Sequence, residues 1–213
     1  MTNHTMKLLL PQFTVRWYFE GEECTDSQDG DIFLIDHGTF FDTVIKDMQD
    51  VLALSEPELD GYTWCAHVAI RNGKMSGLDA LSEMGPRGHE RRTVSGYKHH
   101  VYAVVSFSVE RDDRMTACEF DDACSGLDYG WLEYPPFAFD DLTGAKFACT
   151  WGDTIICSTH VTMCAMGLGL FPDRPPAMVA PARMALWFKA SVQSQSVPTT
   201  ILITPGIPQA NER

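Results

Sequence analysis

Three side chains, far apart in the chain, have the types that nucleophilic catalysis needs: Cys157, His67 and Asp79. Cys157 follows the short apolar lead-in Ile155 and Ile156 and precedes Val161, Ala165 and Leu168 at helical spacing, with Gly167 and Gly169 closing the run. The thiol is therefore expected to open a helix. Unpaired backbone N–H groups and the helix dipole there favour a thiolate, and the same N–H groups can stabilise an oxyanion. Such a nucleophile needs a base within hydrogen-bond reach, and the base needs a partner that fixes its tautomer. His67 is the candidate base and Asp79 the candidate partner for its second ring nitrogen.

Each residue also has a plainer reading. Cysteine is among the most buried residue types, and a lone histidine in a strand is more often packed than catalytic. Only the pairing of His67 with Cys157 lifts both. His160 competes for the role of base because positions i and i+3 share a helix face, but a hydrogen bond to a thiol one turn away is strained. Asp31 reads as fixing the turn before its strand, and Cys164 as packing, together with Cys24, Cys65, Cys118, Cys124 and Cys149. A second chemistry uses Cys65-x-His67 and Cys157-x-x-His160 as two thiolates and two imidazoles, a set that suits Zn²⁺. A third reading keeps the fold as a non-catalytic binding or structural module.

The elements that must position these residues follow from periodicity. Phe13 to Phe19 reads as a strand, and the apolar run Ile32 to Ile35 as a buried one. From Phe41, the residues Val44, Ile45, Met48, Val51 and Leu52 recur at helical spacing with Asp42, Lys46, Asp47, Gln49 and Asp50 opposite them, which predicts an amphipathic helix ending near Ser55 to Pro57. Tyr62 to Ile70 alternates Trp64, Ala66, Val68 and Ile70 with Cys65, His67 and Ala69, a strand pattern. A turn at Gly73 leads to a partner strand over Met75 to Leu81, broken by Gly85, Pro86 and Gly88. Val101 to Val109 predicts a further strand with His99 and His100 at its exposed end, and Arg111 to Cys124 a helix turning Met115, Cys118 and Ala123 inward. Trp131, Tyr134, Pro135 and Phe137 form an aromatic cluster placed to wall a cleft or to pack under a loop. The proline-rich remainder is expected to wrap the surface before a strand at Ile201 to Thr204 and a frayed end.

Taken in order, Gly30-Asp31-Ile32-Phe33-Leu34, the amphipathic helix, Ala66-His67-Val68-Ala69-Ile70, Asp79-Ala80 and Ile156-Cys157-Ser158 resemble the permuted NlpC-type branch of papain-like cysteine hydrolases. The likeness is to YiiX-like proteins and, more distantly, to lecithin retinol acyltransferase-like enzymes, and it spans residues 30–186. In that branch the strand carrying the base precedes the helix carrying the nucleophile, as His67 precedes Cys157. The resemblance implies an α+β fold, a circularly permuted papain-like domain with an antiparallel sheet packed against the nucleophile-bearing helix. It implies a peptidase or amidase that cleaves an amide or ester of a cell-wall peptide or lipid-derived substrate through an acyl-cysteine, with Cys157, His67 and Asp79 as the triad and no cofactor. Two departures stand out: Asp79 where relatives often carry Glu, and Thr159 where they commonly carry Glu after Cys-Ser.

The whole-chain properties narrow the setting. With 213 residues, 45% of them hydrophobic, one domain with one sizeable core is expected. A formal net charge of −13 repels phosphate backbones and anionic membrane surfaces, which argues against a nucleic-acid partner and leans toward substrates bearing a free amine. Seven cysteines cannot all pair within one chain, in keeping with a reducing compartment. Met6 to Leu10 is too short for a signal-peptide core, and no run reaches the roughly 18 apolar residues of a membrane span. A soluble cytoplasmic protein is expected, without stable membrane insertion, with delivery by a phage or secretion system as the other route; no feature fixes an oligomeric state.

Overall fold

The apolar runs that carry no polar alternation become the centre of the sheet. In the computed structural model, which describes residues 11–73, 80–130, 154–170 and 175–190, Ile32, Phe33, Leu34 and Ile35 of β2 (Ile32–Asp36) are fully buried, as are Val68, Ala69 and Ile70 of β3 (His67–Arg71). A strand covered on both faces has no solvent side to mark with polar residues. Around this pair lie β1 (Phe13–Tyr18), β4 (Ala80–Gly85), β5 (Gly88–Thr93) and β6 (Val101–Phe107), in the order β1-β6-β2-β3-β4-β5, with every neighbouring pair antiparallel. The fold is α+β. A separate parallel pair joins β7 (Asp128–Tyr129) to β8 (Thr154–Ile155).

Among the described residues the α-helices are α1 (Phe40–Ser55), α2 (Arg111–Ala123), α3 (Cys157–Gly167) and α4 (Pro181–Trp187). One face of the sheet contributes Ile32, Leu34, Val68, Ile70, Ala103 and Val105 to the main core, which includes Cys157, Val161, Cys164 and Ala165 of α3. The other contributes Phe33, Ile35, Ala69, Leu81 and Val104, packed with Val94, Tyr97 and Tyr102. Helix α3 lies against β3, β4 and α2, and its residues are buried nearly all round. Where α3 meets α2 the backbones nearly touch: a Cβ on Gly167 would come within 2.7 Å of the Ala117 nitrogen. Only glycine permits that approach.

Several expectations are corrected. Strand β3 begins at His67, because Tyr62 and Cys65 are held in turns by bonds from Tyr62 N to Leu59 O and Cys65 N to Tyr62 O. Strand β4 runs on to Gly85 instead of ending at Leu81, and continues through a turn at Pro86 and Arg87 into β5, which the sequence reading broke at Gly88. On α1 the inward residues are Asp42, Ile45, Gln49 and Leu52, while Val44 and Val51 are exposed. Gln49 goes inside because its amide bridges elements: Nε2 donates to Cys65 O at 2.9 Å and Oε1 accepts from Ala182 N at 2.7 Å. On α2, Ala123 is exposed and Met115 half-buried; Ala117, Cys118, Asp121 and Cys124 are the buried set. The proline-rich stretch does not simply wrap the surface, since Pro181 starts α4, which buries Ala182, Met184, Ala185 and Trp187. The predicted strand at Ile201 to Thr204 and the cluster of Trp131, Tyr134, Pro135 and Phe137 lie outside the described residues.

Among the described residues no helix is long and apolar enough to cross a membrane, and the six described cysteines are free thiols. Asp31 fixes its turn as expected. Its carboxylate accepts from Gln28 N at 3.0 Å, Ser106 Oγ at 2.8 Å and Arg114 Nη1 at 2.9 Å.

Candidate functional site

Cys157 is the first residue of α3, and no side chain caps that helix, because its N-cap residue is Ile156. A capping side chain would occupy the first-turn amides; here the thiol stands at that end with the hydroxyls of Ser158 and Thr159. His67 is the first residue of β3, and its ring is close enough to the Cys157 side chain for the two to interact electrostatically. The structure thus brings near each other two residues that stand 90 positions apart in the sequence.

The second ring nitrogen of His67 is held by Glu83. Nε2 lies 3.0 Å from Glu83 Oε2, which leaves Nδ1 for the thiol. Ala69 stands directly opposite Glu83 in the β3–β4 register, so His67, two residues before Ala69, is the diagonal neighbour of Glu83 on the same face. The carboxylate is itself fixed: Tyr97 donates its hydroxyl to Oε2, and Arg92 Nε lies 2.6 Å from Oε1. Asp79, the predicted partner, lies outside the described residues; the signal that could have found Glu83 is the alternation continuing from Ala80 to the Gly85-Pro86 turn.

The electrostatics follow from this packing. Burial pushes the His67 imidazolium down, but the neighbouring Cys157 sulfur and the Glu83 carboxylate outweigh it and raise His67 to about 10. Burial pushes Glu83 up, and His67, Tyr97 and Arg92 more than reverse this, bringing it to about 2. Cys65, two residues from His67, is pushed well up by burial, and its thiol donates to the His67 carbonyl at 3.4 Å.

Beside His67 opens a cavity of about 240 Å³ lined by His37, Asp42, His67, Glu83, Arg92 and His100, with Ile45, Met84 and Tyr129 among its apolar walls. It is slightly smaller than the roughly 300 Å³ at which drug-sized sites begin. His100 is thus half-buried against the cavity instead of standing at an exposed strand end, whereas His99 is exposed. His37, passed over in the sequence, has its ring 4.9 Å from that of His67 and is pushed down by burial, and its Nε2 is buried with no hydrogen-bond partner among the described residues. Cys157 is completely buried, and the cavity is lined by His67 and not by Cys157.

No family model and no curated protein matches this sequence. The reading of the site therefore rests on residue chemistry and geometry.

The alternative zinc set of Cys65, His67, Cys157 and His160 does not assemble. His160 turns away from the thiol, and its Nε2 lies 2.8 Å from Asp121 Oδ1. This also removes His160 as a rival base. Two other trios hold their ligand atoms within 4.8 Å of one another: His37, His67 and Glu83, and His89, Asp121 and His160. In the first trio both carboxylate oxygens already serve Tyr97, Arg92 and His67.

Proposed function

We propose that this chain is a cysteine hydrolase on a circularly permuted, papain-like scaffold of the NlpC type, with Cys157 as nucleophile, His67 as base and Glu83 as the residue that orients His67. One observation carries the reading: an imidazole next to a helix-opening thiol has a ring nitrogen held by a buried carboxylate. That arrangement meets the geometric demand of a nucleophile, a base and an orienting group.

In this mechanism His67 takes the thiol proton and Cys157 Sγ attacks the carbonyl carbon of an amide or ester, forming a C–S bond. The Cys157 amide, at the start of α3, is the available donor to the developing oxyanion. As the tetrahedral intermediate collapses, the scissile bond breaks and the imidazolium protonates the leaving amine or alkoxide. A water molecule, deprotonated by His67, then attacks the thioester, releasing the acid and returning the proton to sulfur. Glu83 keeps Nε2 protonated and stabilises the imidazolium throughout. The substrate classes this reading favours are cell-wall peptides and lipid-derived amides or esters. The small mouth beside His67 suits a narrow acyl or aminoacyl group.

The test is the pH dependence of iodoacetamide labelling at each cysteine, read by peptide mass spectrometry in the native protein and in His67→Ala. Cys157 is expected to label ahead of Cys65 and Cys164, which are equally buried, and His67→Ala is expected to shift its labelling to higher pH. Labelling of Cys157 no faster than Cys164, or unchanged in His67→Ala, would sink the hydrolase reading.

A further inference from the structure

Alternation along β4 sends Glu83 to the cavity face and its neighbour Ser82 to the opposite face, where a second polar centre lies between β4, β5, α2 and α3. Asp121 of α2 is its hub, and both Asp121 and His160 are completely buried. His89 Nε2 lies 2.9 Å, His160 Nε2 2.8 Å and Ser82 Oγ 2.5 Å from the same oxygen, Asp121 Oδ1. Ser82 Oγ and His89 Nε2 are themselves 2.8 Å apart. The other oxygen, Oδ2, is held by Asn72 Nδ2 at 2.6 Å and by Arg91 Nη2 at 3.2 Å.

We propose that His89, Asp121 and His160 bind a divalent transition-metal ion, with zinc the ion that best suits the ligands. The proposal stands apart from the hydrolase reading and uses none of its residues.

Four arguments carry it. A carboxylate offers about two lone-pair positions per oxygen, yet three polar side-chain atoms crowd Oδ1. Two imidazole nitrogens and one carboxylate oxygen, from three separate elements, point at one centre, and this is a donor set that zinc takes. With bonds of about 2.0–2.1 Å, tetrahedral ligand atoms stand roughly 3.3 Å apart; a small outward movement of the two rings from Oδ1 reaches that spacing. Finally, Asn72 and Arg91 hold the outer oxygen as second-layer partners hold a ligating carboxylate, leaving Oδ1 for the ion.

Charge agrees. Arg91 also pairs with Asp122 at 2.8 Å, so two carboxylates face one guanidinium, and the surplus negative charge favours a cation. An imidazole ligates in its neutral form, and that of His160 is completely buried. Its Nδ1 is buried without a partner among the described residues; a ring whose proton moves to that nitrogen frees Nε2 to coordinate. The path in runs past His89, on the edge strand of the sheet.

The experiment strips the full chain with a chelator, reloads it with Zn²⁺ or Co²⁺, desalts it and counts metal by elemental analysis. One ion per chain is expected, with a four-coordinate Co²⁺ visible spectrum and no thiolate-to-cobalt charge-transfer band. His89→Gln, folded by circular dichroism, is expected to lose the ion, while His37→Ala and Cys157→Ser keep it. No uptake by the native chain overturns the proposal, as does uptake that survives His89→Gln or disappears in His37→Ala. If His89→Gln does not fold, X-ray absorption of the zinc-loaded native chain decides: two imidazoles in a nitrogen and oxygen shell support the site, and a sulfur shell overturns it.

Discussion

Two histidine–carboxylate centres flank β4, and they differ in what stands beside each imidazole. Glu83 meets one imidazole, that of His67, which has the Cys157 thiol as a neighbour and lines a cavity. Asp121, itself completely buried, meets two imidazoles, a hydroxyl, an amide and a guanidinium. The groups are alike in kind. What differs is the neighbour that can react and the path by which anything can reach it, so the same chemical vocabulary gives a candidate proton relay on one face and a bolt between α2, α3 and the sheet on the other.

Three perturbations test that contrast. The largest effect belongs to His67→Ala, which is expected to lower kcat by about 10²–10⁴-fold, the usual contribution of a general base, while circular dichroism stays unchanged; steady-state kinetics on a responsive amide or ester check this. Asp121→Ala is expected to act on stability instead. Removing one partner of a buried charged network costs about 3–5 kcal/mol, and for a chain of this size each kcal/mol lowers Tm by about 2–4 °C. Thermal melts of Asp121→Ala that overlay the native curve would erase the distinction between the two centres.

The smallest effect is a displacement in pH. His67 ordinarily titrates at 6.5 and is raised to about 10 in the folded chain, so its contribution to stability is complete below about 6.5 and is lost as pH rises through about 10. In Glu83→Gln the carboxylate's part of that elevation is gone. The alkaline loss of stability, followed as Tm against pH, is expected to begin and end at lower pH than in the native chain. An unshifted alkaline limb would mean that Glu83 does not stabilise the imidazolium.

Much of this was legible in residue order. The runs at Ile32 to Ile35 and Val101 to Phe107 carry enough apolar and β-branched side chains to announce strands, and Cys157 followed by helical spacing announced its helix. Glu83 was missed because β4 was ended too early: the predicted strand stopped at Leu81, although the turn residues that close it are Gly85 and Pro86. Strand β5 carries His89, Glu90, Arg91 and Arg92, with no apolar alternation, since pairing with β4 rather than burial holds it in place. The inward face of α1 was misjudged because hydrogen bonds, not hydrophobicity, draw Gln49 and Asp42 inside. The Asp121 centre had no local signature at all. Its members come from four elements, and only the folded chain makes them neighbours.

The near-contact of Gly167 with Ala117 bears on the opposite end of α3. A rigid helix is a lever, and its fulcrum here is a residue with no side chain. Widening that contact by even a methyl group tilts the rod, and the displacement is felt at the tip that carries Cys157. A misplacement of about 1 Å at reacting atoms can cost about 10²-fold in rate. The aim of the thiol is thus set partly by an atom that position 167 lacks.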